Sequence, residues 1–161
     1  MEKRKLTSHR AREQKGLVAR DLAERLRNRF RDHPIYAFLD FEILDLDLDF
    51  CRMAISFLPR FDNGGGAIHG GVLSMLADTA VACALSTNFD GRMGFATSNL
   101  GIHFLRRARS RITASAHIIK KGAKVCVGYV EMHDADEKLI ATSSCDFILT
   151  TSRLQEPQPE L

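Results

Sequence analysis

The sequence predicts an α+β fold in which a curled antiparallel sheet wraps around one long central helix. Two observations support this prediction. Small and apolar residues run almost without interruption from Gly70 to Phe89, which is typical of a buried helix. In every segment after that run, apolar and polar residues alternate, which is the pattern of half-buried strands.

The region before the central helix predicts one helix and one strand. Apolar residues recur at helical spacing over residues 17–31, with arginine and glutamate between them, and Pro34 ends this amphipathic helix. A short apolar turn follows in YAFLDF. We then expect one half-buried strand within EILDLDLDFCRMAISFLP, ended by Pro59 and the glycines of DNGGG.

Four strands are predicted after the central helix, which begins at about Gly70 and ends near STNFDG. They lie in FATSNLGIHFLR, RITASAHII, KVCVGYVEMH and KLIATSSCDFILT. The short joints KKGAK and DADEK predict hairpin turns, because glycine and aspartate tolerate the backbone angles of tight turns. We expect a meander that the helix interrupts.

Length and composition indicate one globular domain. The chain has 161 residues, of which 45% are hydrophobic and 27% charged, so it can bury a core and is not disordered as a whole. We expect a basic arm and amphipathic helix over residues 1–33, the main domain over 34–150 and a polar tail over 151–161.

The four cysteines predict reduced thiols in the core rather than a disulfide framework or a metal site. They fall singly in apolar or alternating segments, with no C-x-x-C pair and no histidine at ligand spacing. A reducing cytoplasm is therefore the predicted location. No metal and no cofactor is expected.

The basic surplus lies in residues 1–33, which hold eleven Lys/Arg against five Asp/Glu. This segment has no aromatic side chain near its start for base stacking and no second helix for a helix-turn-helix, so we expect a solvated arm rather than a nucleic-acid contact. The apolar run from Gly70 to Phe89 is barely long enough for a membrane span and carries Asp78 near its middle. No membrane span is expected.

Asp78 is the only charged residue between Gly70 and Phe89. Burial of an unpaired carboxylate costs several kcal/mol, so Asp78 is expected to be paired or used in chemistry. Gly70 and Gly71 open the helix, where free N–H groups and the helix dipole could stabilise an oxyanion; alternatively, the glycines only ease a tight turn. Asp78 lies roughly 12 Å along the axis from Gly70, so both can meet one carbonyl only in a dimer of antiparallel helices.

One motif carries a specific family resemblance. The pattern N-x-x-G-x-x-H-G-G is formed by Asn63, Gly66, His69, Gly70 and Gly71, and is followed by LAD, which ends at Asp78. The chain resembles the PaaI-like hotdog-fold acyl-CoA thioesterases over roughly residues 35–150. The resemblance implies a hotdog fold and a homotetramer built from two dimers.

The resemblance also implies roles for individual residues. Asp78 would be the catalytic carboxylate, as nucleophile or as general base on water, and Gly70 would supply the oxyanion N–H. Asn63 of the partner subunit would position the thioester or the water. His69 would support the loop or be a satisfied structural histidine, and Thr97 would assist the carboxylate, as a hydroxyl residue does in some members.

A basic group of residues could bind the phosphates of coenzyme A, with Gly71 as a further substrate contact. This chain has FLRRA where the family commonly has FLRPA, so one strand end is more basic here. The group is expected to cluster around neighbouring strand ends and consists of Arg106, Arg107, Lys120, Lys121 and Lys124. An ordinary solvated rim is the alternative interpretation.

The leading functional prediction is an acyl-CoA thioesterase that releases a free acid and coenzyme A. A dehydratase and a non-catalytic acyl-CoA-binding or sensing module are the alternatives, because the fold alone does not separate these classes. A dehydratase is expected to place a histidine and an acid in a different loop motif, and a binding module needs no acid beside the carbonyl. Asp78 therefore favours the hydrolase, and the acyl group is left open.

Overall fold

The structure is a computed structural model that describes residues 20–89 and 93–153. Its helices and strands follow in this order: α1 (Arg20–Asp32), α2 (Pro34–Leu39), β1 (Glu42–Asp47), β2 (Phe50–Ile55), α3 (Gly70–Ser86), β3 (Met93–Phe104), β4 (Ile112–Lys121), β5 (Val125–His133) and β6 (Leu139–Arg153). The strands form one antiparallel sheet in the order β1-β2-β4-β5-β6-β3. The predicted hotdog fold, an α+β arrangement with the sheet curled around a central helix, is confirmed.

Helix α3 packs against β2 through β6. Most of its side chains are small or aliphatic, so burying them against the sheet removes apolar surface from water. Leu76, Ala80 and Val81 are fully buried. The helix and the sheet approach closely at Gly128 of β5, where a β-carbon would clash with Cγ1 of Val81. Only glycine fits at this crossing, so Gly128 sets the distance between helix and sheet.

The strand predicted before the central helix is confirmed as β2, but the expectation of a single strand is wrong, because β1 precedes β2 and the two form a hairpin. The chain turns at Leu48 and Asp49, and Asp49 has a left-handed φ of 60°. The Asp47 carboxylate accepts a hydrogen bond from the Leu48 N–H at 3.0 Å, which stabilises the turn. Register pairs Asp47 with Phe50.

The predicted apolar turn in YAFLDF is instead the short helix α2. Pro34 stands at its first turn, where the missing N–H costs nothing, and Asp40 ends it in the left-handed conformation with φ 54°. Helix α1 begins at Arg20 and confirms the amphipathic helix predicted for residues 17–31 in the part that the structure describes. Helices α1 and α2 pack against each other.

The sheet departs from a simple meander at β3. Hairpins join β4 to β5 and β5 to β6, as KKGAK and DADEK predict, whereas β3 pairs with β6 and β4 pairs with β2. Helix α3 crosses the sheet between β2 and β3, so β3 enters at the opposite edge. Within the described ranges, no strand pairs with the outer side of β3.

The core confirms that the cysteines are internal, since all four are buried and free. Within the described part of the chain, no helix is both long and apolar enough to cross a membrane. Strand β6 extends to Arg153, three residues into the predicted tail. The basic arm before residue 20 and the tail after residue 153 lie outside the described residues.

Candidate active site

Asp78 lies on the one face of α3 that the sheet leaves accessible. Gly71, Met75, Asp78 and Ala82 are each exposed or partly exposed, and their spacing places them along one side of the helix. Apart from Asp78 this face is apolar or small. The carboxylate is therefore tolerated on an apolar helix because it sits half-buried at the surface of one chain rather than in the hydrocarbon core.

A hydrogen bond joins this carboxylate to the neighbouring strand. The Thr97 hydroxyl on β3 donates to Oδ1 of Asp78 at 2.8 Å. Burial raises the pKa of Asp78 above its ordinary value, and the hydrogen bond from Thr97 acts in the opposite direction. An ionised Asp78 is therefore a stronger base than an exposed aspartate, and the hydrogen bond from Thr97 fixes the orientation of its carboxylate.

A cavity of about 380 Å³ opens beside Asp78 between α2, α3 and β3. Its lining is mainly apolar, with contributions from Ile35, Met75 and Leu100, and its polar side includes Tyr36 and Thr97. Such a lining accommodates an aliphatic or aromatic group next to the carboxylate. In the described ranges, no group of three or more His, Cys, Asp or Glu side chains could hold a metal ion.

The start of α3 offers one backbone donor. Nδ1 of His69 caps the helix by accepting the Gly71 N–H at 3.0 Å, and the His69 carbonyl accepts the Val72 N–H at 3.0 Å. The Gly70 N–H has no acceptor among the described residues. The N–H of Gly70 is thus available to a ligand, whereas the N–H of Gly71 is already used by His69.

The glycine-rich loop before α3 is held by side-chain caps. Asp62 accepts hydrogen bonds from the N–H groups of Gly64 and Gly66, each at 2.9 Å, and both glycines have left-handed φ angles. Oδ1 of Asn63 accepts the Gly65 N–H at 2.8 Å. The loop is therefore defined in the single chain and leaves Asn63 exposed.

One chain does not bring all the predicted catalytic residues together. Asp78 and Thr97 meet, but neither Asn63 nor Gly70 lines the cavity at Asp78. The helical rise places Gly70 roughly 12 Å from Asp78 along the axis. The expectation that two chains complete the site stays a prediction.

The predicted basic cluster does not form within one chain. Two of its members precede β4, two are its last residues and one follows it, so the two sets lie at opposite ends of a ten-residue strand, roughly 30 Å apart. The first pair is Arg106 and Arg107, and the second set is Lys120, Lys121 and Lys124. Proximity to strand ends in the sequence did not reveal which end of the sheet each residue occupies.

Two of these basic side chains have local partners. Arg106 donates to the Leu139 carbonyl at 2.7 Å, which ties the loop before β4 to β6. Lys121 binds the Asp49 carboxylate at 2.9 Å and Oδ1 of Asn88 at 2.6 Å. These two residues stabilise loops.

Comparison with known proteins shows the family. The model of the thioesterase superfamily matches residues 65–141. The medium/long-chain acyl-CoA thioesterase YigI of Salmonella typhimurium is 32% identical over 134 residues, which covers 72% of this chain and 85% of the relative. The chain belongs to the thioesterase superfamily. Its resemblance to the PaaI-like hotdog thioesterases is thereby confirmed.

Further comparisons extend this thioesterase likeness. A protein of Saccharolobus solfataricus named as a candidate esterase is 29% identical over 122 residues, covering 75% of this chain and 86% of that protein. The PaaI protein from the phenylacetic acid degradation operon of Escherichia coli superposes with a TM-score of 0.77 at 21% identity, covering 86% of this chain and 99% of that one. The structural match shows a shared fold.

Sequence reasoning missed one residue beside Asp78, Tyr36 of α2. Its side chain lines the cavity at Asp78, and burial together with the nearby Asp78 carboxylate raises the pKa of the Tyr36 phenol. The available signal was Pro34, which commonly occupies the first turn of a helix. A helix starting there would have placed Ile35 and Tyr36 on a packed surface rather than in a turn.

Proposed function

We propose that this member of the thioesterase superfamily hydrolyses acyl-CoA thioesters to a free acid and coenzyme A. The observation that supports the proposal most strongly is Asp78, a half-buried carboxylate on an apolar helix that is oriented by Thr97 and opens onto an apolar cavity. Membership of the superfamily supports thioester hydrolysis as the general activity. The acyl-CoA class and the role of Asp78 are our proposal.

In the proposed reaction, Asp78 acts on a thioester whose acyl chain occupies the adjacent cavity. As general base, it takes a proton from water while the water oxygen attacks the carbonyl carbon. As nucleophile, it forms an anhydride that water then hydrolyses. On either route the C–S bond breaks, the thiolate of coenzyme A gains a proton and the acid leaves.

The oxyanion would be stabilised by the Gly70 N–H of a partner subunit, with Asn63 of the partner subunit positioning the thioester or the water. Two features of one chain support such a pairing. The accessible face of α3 carries Asp78 among small and apolar residues, and none of the described strands pairs with the outer edge of β3 beside it. Two antiparallel copies would cover both surfaces and create two equivalent sites.

We further propose that two such dimers form a tetramer. Apolar side chains remain exposed on strands of the sheet, including Val125, Tyr129 and Ile148, which are 36–46% exposed. Association would remove this apolar surface from water. A cytoplasmic location stays a prediction from the cysteine pattern.

The proposed substrates are medium- and long-chain acyl-CoAs. The apolar lining of the cavity and the name of the Salmonella relative support this class. Arg107, Lys120 and Lys124 are exposed and remain candidates for the phosphates of coenzyme A, contributed by different chains of the oligomer.

Thiol release from a panel of acyl-CoAs tests this proposal. We expect release that depends on enzyme concentration and favours medium or long saturated chains. The same panel should include 3-hydroxyacyl-CoA and 2-enoyl-CoA, whose interconversion without thiol release would indicate a dehydratase. Saturable binding of acyl-CoA without any turnover would instead indicate a binding module, and either outcome would contradict the hydrolase.

A further inference from the structure

We propose that Tyr36 limits the length of the acyl chain, because its side chain separates the cavity at Asp78 from a second cleft. The inference rests on the proposed hydrolysis at Asp78 and deepens it. It concerns α1, which precedes the region of family resemblance at roughly residues 35–150, and α2, which lies at the start of that region.

Tyr36 is shared by two cavities. It lines the space of about 380 Å³ at Asp78 and also a cleft of about 420 Å³ between α1, α2 and β1. Among the described residues, Tyr36 is the only one that lines both spaces. Its ring packs against Phe30, which lines the second cleft, and its phenol lies near Asp78, which lines the first cavity, so the side chain lies between the two spaces.

The Tyr36 ring is held in place by its neighbours. It packs against the Phe30 ring at a centroid distance of 4.8 Å and against the His33 ring at 5.0 Å. Its backbone N–H donates to the His33 carbonyl at 3.0 Å. These contacts come from both α1 and the start of α2, so the ring forms a fixed wall rather than a freely rotating surface side chain.

The second cleft has the chemistry to receive methylene groups. Phe30, Phe41 and Ile43 contribute its apolar side, and all three pack against the hydrophobic core. Its other side is charged and is lined by Arg27, Arg31, Asp40 and Glu42. A chain that extends past position 36 would therefore remain in contact with apolar side chains rather than emerge into water. With tyrosine in place, the chain meets the ring before it reaches this surface.

Removal of the ring should join the two cavities. In Tyr36→Ala, we expect the preferred saturated acyl-CoA to become longer, with kcat/KM rising roughly fourfold for each added methylene that the second cleft takes up. Tyr36→Leu should shift the preference in the same direction by a smaller amount. Tyr36→Phe should keep the wild-type preference, because the wall is the ring and not the hydroxyl.

Phe38→Ala is the matched control. Phe38 lies on the same short helix, is 57% exposed and lines neither cavity. Phe38→Ala should therefore retain the wild-type preference for acyl-chain length. This result would distinguish removal of the Tyr36 ring from a general loosening of α2.

The experiment measures kcat/KM from butyryl-CoA to stearoyl-CoA for the wild type and the four variants, with the thermal midpoint of each preparation. A longer preferred acyl chain in Tyr36→Ala and Tyr36→Leu, but not in Tyr36→Phe or Phe38→Ala, supports the inference. An unchanged optimum in folded Tyr36→Leu, with an active wild type, overturns it while leaving the proposed function intact. If the wild type hydrolyses no member of the series, the proposed function fails and this inference fails with it.

Discussion

Replacement of Asp78 by asparagine separates a catalytic carboxylate from a structural one. Asparagine keeps the size of the side chain, and its Oδ1 can still accept the hydrogen bond that Thr97 now donates at 2.8 Å. What is lost is the base or nucleophile. We expect turnover of acyl-CoA to fall about 100-fold to 10,000-fold.

Stability should respond in the opposite direction. Burial raises the pKa of Asp78 above its ordinary value of 3.8, so the folded state holds the proton more tightly than the unfolded state does. The free energy of unfolding therefore decreases as the pH rises from the ordinary pKa through the raised one. Asparagine removes this loss, so Asp78→Asn should unfold at the same temperature or up to about 3 °C higher at neutral pH.

The assay measures thiol release and the thermal midpoint on the same preparation, at neutral pH and again near pH 4. The advantage of Asp78→Asn in midpoint should shrink at the lower pH, which is close to the ordinary pKa of 3.8, because little of the free energy of unfolding has yet been lost there. If Asp78 were a strut in an ion pair, its loss would cost about 3–5 kcal/mol and lower the midpoint by roughly 10 °C. Near-normal turnover in the folded variant would refute the catalytic role.

Three further predictions follow from single contacts and surfaces. Thr97→Val removes the hydrogen bond that opposes the raised pKa of Asp78, so the acidic limb of the pH profile of kcat/KM should move to higher pH. Thr97→Ser keeps the hydroxyl and should not move this limb. Equal profiles for the two variants would show that the contact is not functional. Gly128→Ala places a β-carbon against Val81 and should lower stability by about 1–3 kcal/mol in denaturant titrations, and a double variant with Val81→Ala should recover part of that loss; additive losses would contradict the close approach. Analytical ultracentrifugation of the purified chain should give a tetramer, and a stable, active monomer would contradict both the tetramer and the two-chain site.

Local signals in the sequence identified most of the fold. The apolar run after Gly70 and the alternating pattern after it are visible within short windows of the sequence. Helix α3 and the last four strands could therefore be predicted. The β1–β2 turn was missed because the alternation of LDLDLDF continues through it, so Asp47 and Asp49 look like outward-facing strand positions. The left-handed φ of Asp49 is what reverses the chain there.

The site was predictable where a residue conflicts with its own surroundings. Asp78 could be found because one charge on an apolar helix is a local anomaly, whereas Thr97 came from the family resemblance. Tyr36 comes close to Asp78 only because α2 and α3 line the same cavity in the folded chain, which no nearby residue in the sequence reveals. The basic residues were misplaced for the same reason. They lie near opposite ends of β4, and the local sequence does not show that these ends are far apart in the sheet.

Mixing two inactive variants tests most directly the central claim that a thioester is hydrolysed at a site shared by two chains. Asp78→Asn and Asn63→Ala should each be nearly inactive alone. Co-refolded in equal amounts, they should regain about a quarter of wild-type activity, because half of the dimers are mixed and each mixed dimer has one intact site. If mixed dimers form, as native mass spectrometry would show, and activity does not return, the shared site is contradicted.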